Sequence, residues 1–150
     1  MDLTRIAEDL MGIIVYELSG LQYCANIRYL QTILNPMECL PGFPDMTLSI
    51  PGIQLYDNTF AFIDLYKVLA LERCSITPSS RILLIETGEK KIAFCVEKII
   101  EIITLSEKDK IMKVKFDRPE SEGLIAGYLR FNDHKYILPD YSMIAATAGV

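Results

Sequence analysis

Two glutamates four residues apart, Glu97 and Glu101, sit in the aliphatic run VEKIIEIITL (96–105). Paired carboxylates can divide general-acid and general-base roles, provided a cleft with other polar groups pushes their pKa values apart. On a helix the two would stack on one face and repel by a few tenths of a kcal/mol. The β-branched density favours a strand instead. There Glu97, Ile99, Glu101 and Ile103 share one face and Lys98, Ile100 and Ile102 the other. No neighbouring residue supplies the rest of an acid–base site, so the pair reads as polar positions on an edge strand or at a seam.

The other reactive side chains are sparse. His134 is the sole histidine and falls in the turn NDHK. No fixed orienting partner is evident, so a solvent-facing turn residue is the simpler reading than a triad base. Cysteines stand at 24, 39, 74 and 95 with no C-x-x-C spacing. They read as reduced thiols of a cytosolic protein rather than zinc ligands. Asp57, Asp64, Asp133 and Asp140 sit at hairpin ends and strand exits, where aspartate serves turns. There is no glycine-rich phosphate loop and no nucleophile elbow. The sequence therefore predicts no catalytic residues, no metal and no cofactor.

Bulk properties narrow the partners. The 150 residues suit one domain, 51% are hydrophobic, and the net charge is −5. Cations form no continuous run, which disfavours nucleic acid and an anionic membrane surface. The opening MDLTRIAEDL lacks the apolar core of a secretory signal. No stretch approaches the roughly 18 apolar residues of a membrane span. A cytoplasmic protein without direct membrane insertion is expected.

The elements follow from local chemistry. Residues 2–11 predict a short N-terminal helix ended by Gly12. IIVYEL and LQYCANI flank Ser19-Gly20 as a first hairpin. RYLQTIL (28–34) continues as strand or one helical turn. Four of the seven prolines fall in 35–52, which predicts a long irregular connection. GIQLYDNTFAFIDL (52–65) predicts a hairpin turning at Asp57-Asn58, and YKVLALE (66–72) a short helix. RILLIE and KKIAFCV flank a turn at Gly88. Residues 106–123 read as polar and exposed. LIAGYLRF and HKYILPD form a last hairpin around Asn132-Asp133, and YSMIAATAGV a closing helical turn. About nine short strands with few brief helices predict an all-β fold, a sandwich or a pair of barrels.

In this order the segments resemble the CheW-like chemotaxis coupling family over about residues 13–145. VYELSGLQYCANI resembles its first hairpin. The proline-bearing stretch 35–44 resembles its I-P-x-x-P region. GIQLYDNTFAFIDL resembles its second hairpin, anchored by Ile63-Asp64-Leu65. AFCVEKIIEIITL resembles its V-D-x-V-x-E-V strand, with Val96, Glu97, Ile99, Glu101, Ile102 and Leu105 in place. AGYLRFNDHKYILPD resembles its terminal hairpin. The resemblance implies two small five-stranded SH3-like β-barrel subdomains sharing a hydrophobic core, with 1–150 a single domain and no catalytic activity. It also implies a cytoplasmic scaffold at receptor arrays, bridging the regulatory domain of a CheA-type histidine kinase to a chemoreceptor tip.

Two departures bear on binding. Where the family has N-L-R-G, this chain reads Gln54-Leu55-Tyr56-Asp57, so Tyr56 replaces an arginine linked to partner contacts and Asp57 a glycine. Where the family often has V-Q-E-I, it reads Leu30-Gln31-Thr32-Ile33. The expected contact residues are Leu30, Thr32 and Ile33 as one strip and Tyr56, Asp57 and Asn58 as another. A groove between the barrels could take an apolar helical stripe. Each residue has an ordinary alternative: Leu30 and Ile33 as core, the Asp-Asn pair as a mere turn. A binding module of the same fold serving a partner outside chemotaxis, in motility or kinase regulation, is the competing functional reading.

Overall fold

The computed structural model describes residues 9–39, 52–120 and 123–150. Two curled sheets dominate it. Six strands run in the order β8 (Lys98–Thr104), β1 (Gly12–Leu18), β2 (Leu21–Asn26), β11 (His134–Pro139), β10 (Ile125–Phe131), β9 (Lys115–Asp117). Five more run β3 (Leu30–Leu34), β6 (Arg81–Thr87), β7 (Lys90–Val96), β5 (Asn58–Phe62), β4 (Ile53–Leu55). Neighbours pair antiparallel except β2 with β11 and β5 with β7, which meet in short parallel contacts. The helices are brief: α1 (Pro36–Cys39), α2 (Leu65–Val68), α3 (Glu107–Met112), α4 (Tyr141–Thr147) and a 3-10 turn at Ile27–Tyr29.

The apolar runs are continuous because the central strands are buried on both faces. In β1, Ile14, Tyr16 and Leu18 face a core shared by the two sheets, while Ile13 and Val15 face the interior of the six-stranded sheet. In β6, Leu83 and Ile85 face the shared core, and Ile82 and Leu84 the interior of the five-stranded sheet. In β7, Ile92, Phe94 and Val96 oppose Ala93 and Cys95 in the same way. Side chains alternate with period two along a strand. A strand with a core on either side therefore has no polar face to show.

Hairpin chemistry holds at three turns. Ser19-Gly20 and Asn132-Asp133 both take positive φ at both positions, as a primed two-residue turn requires. Gly88 takes φ +60 between β6 and β7. The remaining hairpin differs from expectation. Leu55 pairs with Asn58, so the turn is Tyr56-Asp57 and Asn58 opens β5. Tyr56, not the Asp-Asn pair, takes the positive φ.

Three further expectations need correction. The segment 106–123 is not featureless. Ser106 caps α3 through a capping box with Asp109, and Val114 and Phe116 turn inward between exposed lysines, Phe116 within β9 and Val114 just before it. That strand joins the edge of the six-stranded sheet and brings the described strands to eleven where about nine were expected. The helix expected over 66–72 is the single turn Leu65–Val68. Most of the helix expected over 2–11, and residues 40–51 of the proline-rich connection, lie outside the described residues.

The two sheets are joined where β7 passes into β8 through Glu97, and α4 closes the seam. Tyr141 at its start hydrogen-bonds Tyr16 at 2.7 Å and donates to the Cys24 carbonyl at 2.8 Å. Its ring stacks on Phe94 with centroids 5.8 Å apart. Asp140 and Asp64 cap α4 and α2, accepting from Met143 and Lys67 amides at 3.0 and 3.3 Å. Asp64 also pairs with Arg73. Asp64→Ala is expected to cost about 1–2 kcal/mol, chiefly the lost cap. A urea-denaturation series that shows a change below about 0.5 kcal/mol would contradict that role.

Candidate docking surfaces and the carboxylate at the seam

Glu97 and Glu101 part company in space. Glu97 sits at the bend between β7 and β8. Its carboxylate accepts from the Ser19 amide and from the Tyr66 hydroxyl, the latter at 2.9 Å. Its own amide donates to the Glu17 carbonyl at 3.1 Å. Burial of Tyr66, reinforced by Glu97, pushes the phenol pKa up, so Tyr66 stays a protonated donor. Glu101 is exposed and pairs with Val15 across β1. The register slips between Val15 and Tyr16, leaving Ile100 as an extra residue in β8. Neither carboxylate lines any of the three grooves described below, and Glu97 joins the tip of the first hairpin to α2.

The other candidates for chemistry settle similarly. His134 opens β11, exposed, its ring stacked on Tyr136 at 6.0 Å. Cys24, Cys74 and Cys95 are free, while the Cys39 side chain lies outside the described residues. Desolvation raises all three thiols, Cys95 to about 12, which keeps them protonated and poorly nucleophilic. Among the described residues no group of three or more His, Cys, Asp or Glu side chains could hold a metal. Nor is any described helix long and apolar enough to cross a membrane.

The six expected contact residues fall on opposite edges of the five-stranded sheet. Leu30, Thr32 and Ile33 lie in the edge strand β3. A register shift between Leu30 and Thr32 sets them apart by face. Leu30 opposite Ile85 and Ile33 opposite Leu83 lean on the shared core, whereas Thr32 lies opposite Leu84, on the face of the sheet's own interior. All three are half-buried. Tyr56, Asp57 and Asn58 form the exposed end of the β4–β5 hairpin at the far edge. Tyr56 is 90% exposed at φ +53. A non-glycine residue there costs about 1–2 kcal/mol.

Grooves open elsewhere. One of about 440 Å³ is lined by residues of both sheets and α4, Tyr29, Thr87, Leu129 and Tyr141 among them. Another of about 320 Å³ runs between the end of α2 and the β10–β11 face, past Val68, Leu69, Tyr128 and Ile137. None of the six expected residues lines either groove. The basic groove beside the β10–β11 turn, lined by Lys113, Lys115, Arg130 and Lys135, was missed by reading along the chain. Lys113 caps the end of α3, while Lys115, Arg130 and Lys135 come from three separate strands and become neighbours through the sheet register.

Comparison with known proteins agrees with this architecture. None of the curated proteins matches the chain. The crystal structure of the scaffolding protein TtCheW from Thermoanaerobacter tengcongensis superposes with a TM-score of 0.64 at 19% identity, covering 87% of this chain and 89% of that one. It shares the fold, in which the two curled sheets correspond to two SH3-like barrel subdomains. The model of the CheW-like domain matches residues 12–148, nearly the whole chain. The chain belongs to the CheW-like domain family, a family of scaffolds and adaptors.

Proposed function

We propose that this protein is a non-enzymatic coupling scaffold that holds a CheA-type histidine kinase, through its regulatory domain, to the cytoplasmic tip of a chemoreceptor. It would work in the cytoplasm at membrane-associated receptor arrays, reached through those partners. The family match supports the reading, and the observation that carries it to particular residues is Tyr56. A tyrosine held 90% exposed in the left-handed region gains little inside the chain from that placement. Strained backbone of this kind concentrates at functional positions. A rigid amphipathic ring at a protruding turn suits an interface anchor. Asp57 and Asn58 flank it, and the strip Leu30, Thr32 and Ile33 on β3 supplies the second contact.

The replacement of the family's arginine by Tyr56 and of its glycine by Asp57 favours one competing reading: the same scaffold serving a kinase or motility partner outside chemotaxis. Titration calorimetry against a CheA-type regulatory domain and against a receptor-tip fragment separates the two. Binding to both supports coupling, and binding to neither removes it. Tyr56→Arg is expected to change affinity for the true partner by about 1 kcal/mol or more while leaving the melting curve nearly unmoved. Tyr56→Gly should melt higher, by relief of about 1 kcal/mol of backbone strain, yet bind more weakly. Equal affinity in all three proteins would remove Tyr56 from the contact surface.

A further inference from the structure

The open end of the six-stranded sheet carries a rank of cations that the fold itself does not explain. Lys115 lies directly opposite Arg130, and Arg130 directly opposite Lys135. Cross-strand partners share a face with Cβ atoms about 5 Å apart, and like charges so placed oppose pairing. Asp117 relieves only the middle one, pairing with Arg130 at 2.9 and 3.2 Å. Lys135 lies over the Tyr128 ring, 4.3 Å from its centroid. Among the described residues no carboxylate reaches Lys115 or Lys135 to form an ion pair. A groove of about 480 Å³ runs along the rank and takes in Lys113. Just before Lys113 come Ile111 and Met112, 78% and 69% exposed at the end of α3.

Residues 107–118 and 130–135 hold seven of the chain's 15 Lys and Arg residues against four Asp and Glu. The local excess is positive on a molecule whose net charge is −5. We propose that this face, formed by β9, β10, β11 and α3, docks an acidic amphipathic helix of a second protein. Carboxylates three and four residues apart on a helix lie about 5–6 Å apart, which matches the spacing of the cation rank. The apolar stripe of such a helix would cover Ile111 and Met112. The interspersed Glu107, Asp109 and Asp133 argue for a partner of mixed surface. A uniformly anionic lipid layer or nucleic acid would meet those acids as well as the cations. The surface lies on the other sheet from Tyr56 and β3 and does not depend on their role.

The test uses the full chain and a labelled synthetic 20-residue helix with leucine at i, i+3, i+4 and i+7 and glutamate on its polar flank. Parallel titrations use the same peptide with glutamine for glutamate, phosphatidylglycerol vesicles and a single-stranded oligonucleotide. The glutamate peptide should bind, more weakly as salt is raised. Lys115→Glu with Lys135→Glu should weaken it about tenfold or more, and so should Ile111→Ser with Met112→Ser. Tyr56→Arg should leave it unchanged. Lys115→Gln with Lys135→Gln, checked by its melting curve, guards against misfolding of the charge-reversed form. No binding of the glutamate peptide, equal binding of the glutamine peptide, indifference to both double substitutions, or tighter binding to vesicles or oligonucleotide would overturn the proposal.

Discussion

Phe94→Ala is expected to remove about 3–5 kcal/mol of stability, the usual cost of truncating a buried aromatic that its surroundings cannot refill. Phe94 is fully buried in the core common to both sheets. Its ring meets Tyr16 from β1 at 5.7 Å, tilted by 51°, and Tyr141 from α4 at 5.8 Å, stacked at 10°. The substitution therefore opens a cavity at the point where the two sheets and the closing helix converge. For a chain of this size the loss corresponds to a fall in Tm on the order of 10 °C. The form of the transition matters as much as its midpoint. One shared core predicts one cooperative unfolding step, seen alike by near-UV signal and backbone signal. If the variant unfolds in two separated steps, or loses less than about 1 kcal/mol, the sheets stand independently and the shared core is not what binds them.

That shared core explains which parts of the architecture could be read along the chain. Ser19-Gly20, Gly88 and Asn132-Asp133 are residues whose backbone preferences dictate the turn, so these hairpins were legible. Ile63-Asp64-Leu65 was legible for a different reason. Two apolar residues enter the interior around an aspartate that caps α2, and this pattern has a fixed spacing. The turn of the β4–β5 hairpin lies one residue earlier than expected because the local rule prefers asparagine or aspartate at positive φ, and the β4–β5 register puts Tyr56 there instead. β9 escaped notice because only Phe116, with Val114 just before it, marks it among lysines, and no tight-turn signal joins it to β10. The strip expected on β3 is not one face: Thr32 and Ile33 are adjacent and point opposite ways, and the register shift between Leu30 and Thr32 turns Leu30 to the side of Ile33. Slips of that kind leave no trace in periodicity.

Glu97→Ala is expected to cost about 2–3 kcal/mol, a large penalty for a half-buried side chain, because it leaves two donors without their acceptor. The carboxylate holds the Ser19 amide at the first hairpin and the Tyr66 hydroxyl of α2, and the backbone of Glu97 is itself tied to Glu17. Bonds to an ionised acceptor are stronger than neutral ones. Removal frees the β1–β2 tip from the bend where the chain crosses between sheets. Glu97→Gln keeps an acceptor of similar shape and should recover roughly half of the loss. Two readouts separate this role from ordinary packing. The Ser19 amide should exchange with solvent faster in the alanine variant, while amides of the β10–β11 hairpin keep their protection once the global loss is subtracted. Glu101→Ala, at the exposed position four residues on, should change stability by less than about 0.5 kcal/mol. A comparable loss from both substitutions would mean that the two carboxylates act as a pair after all, and that the division between a structural tie at the seam and a solvated strand position is mistaken.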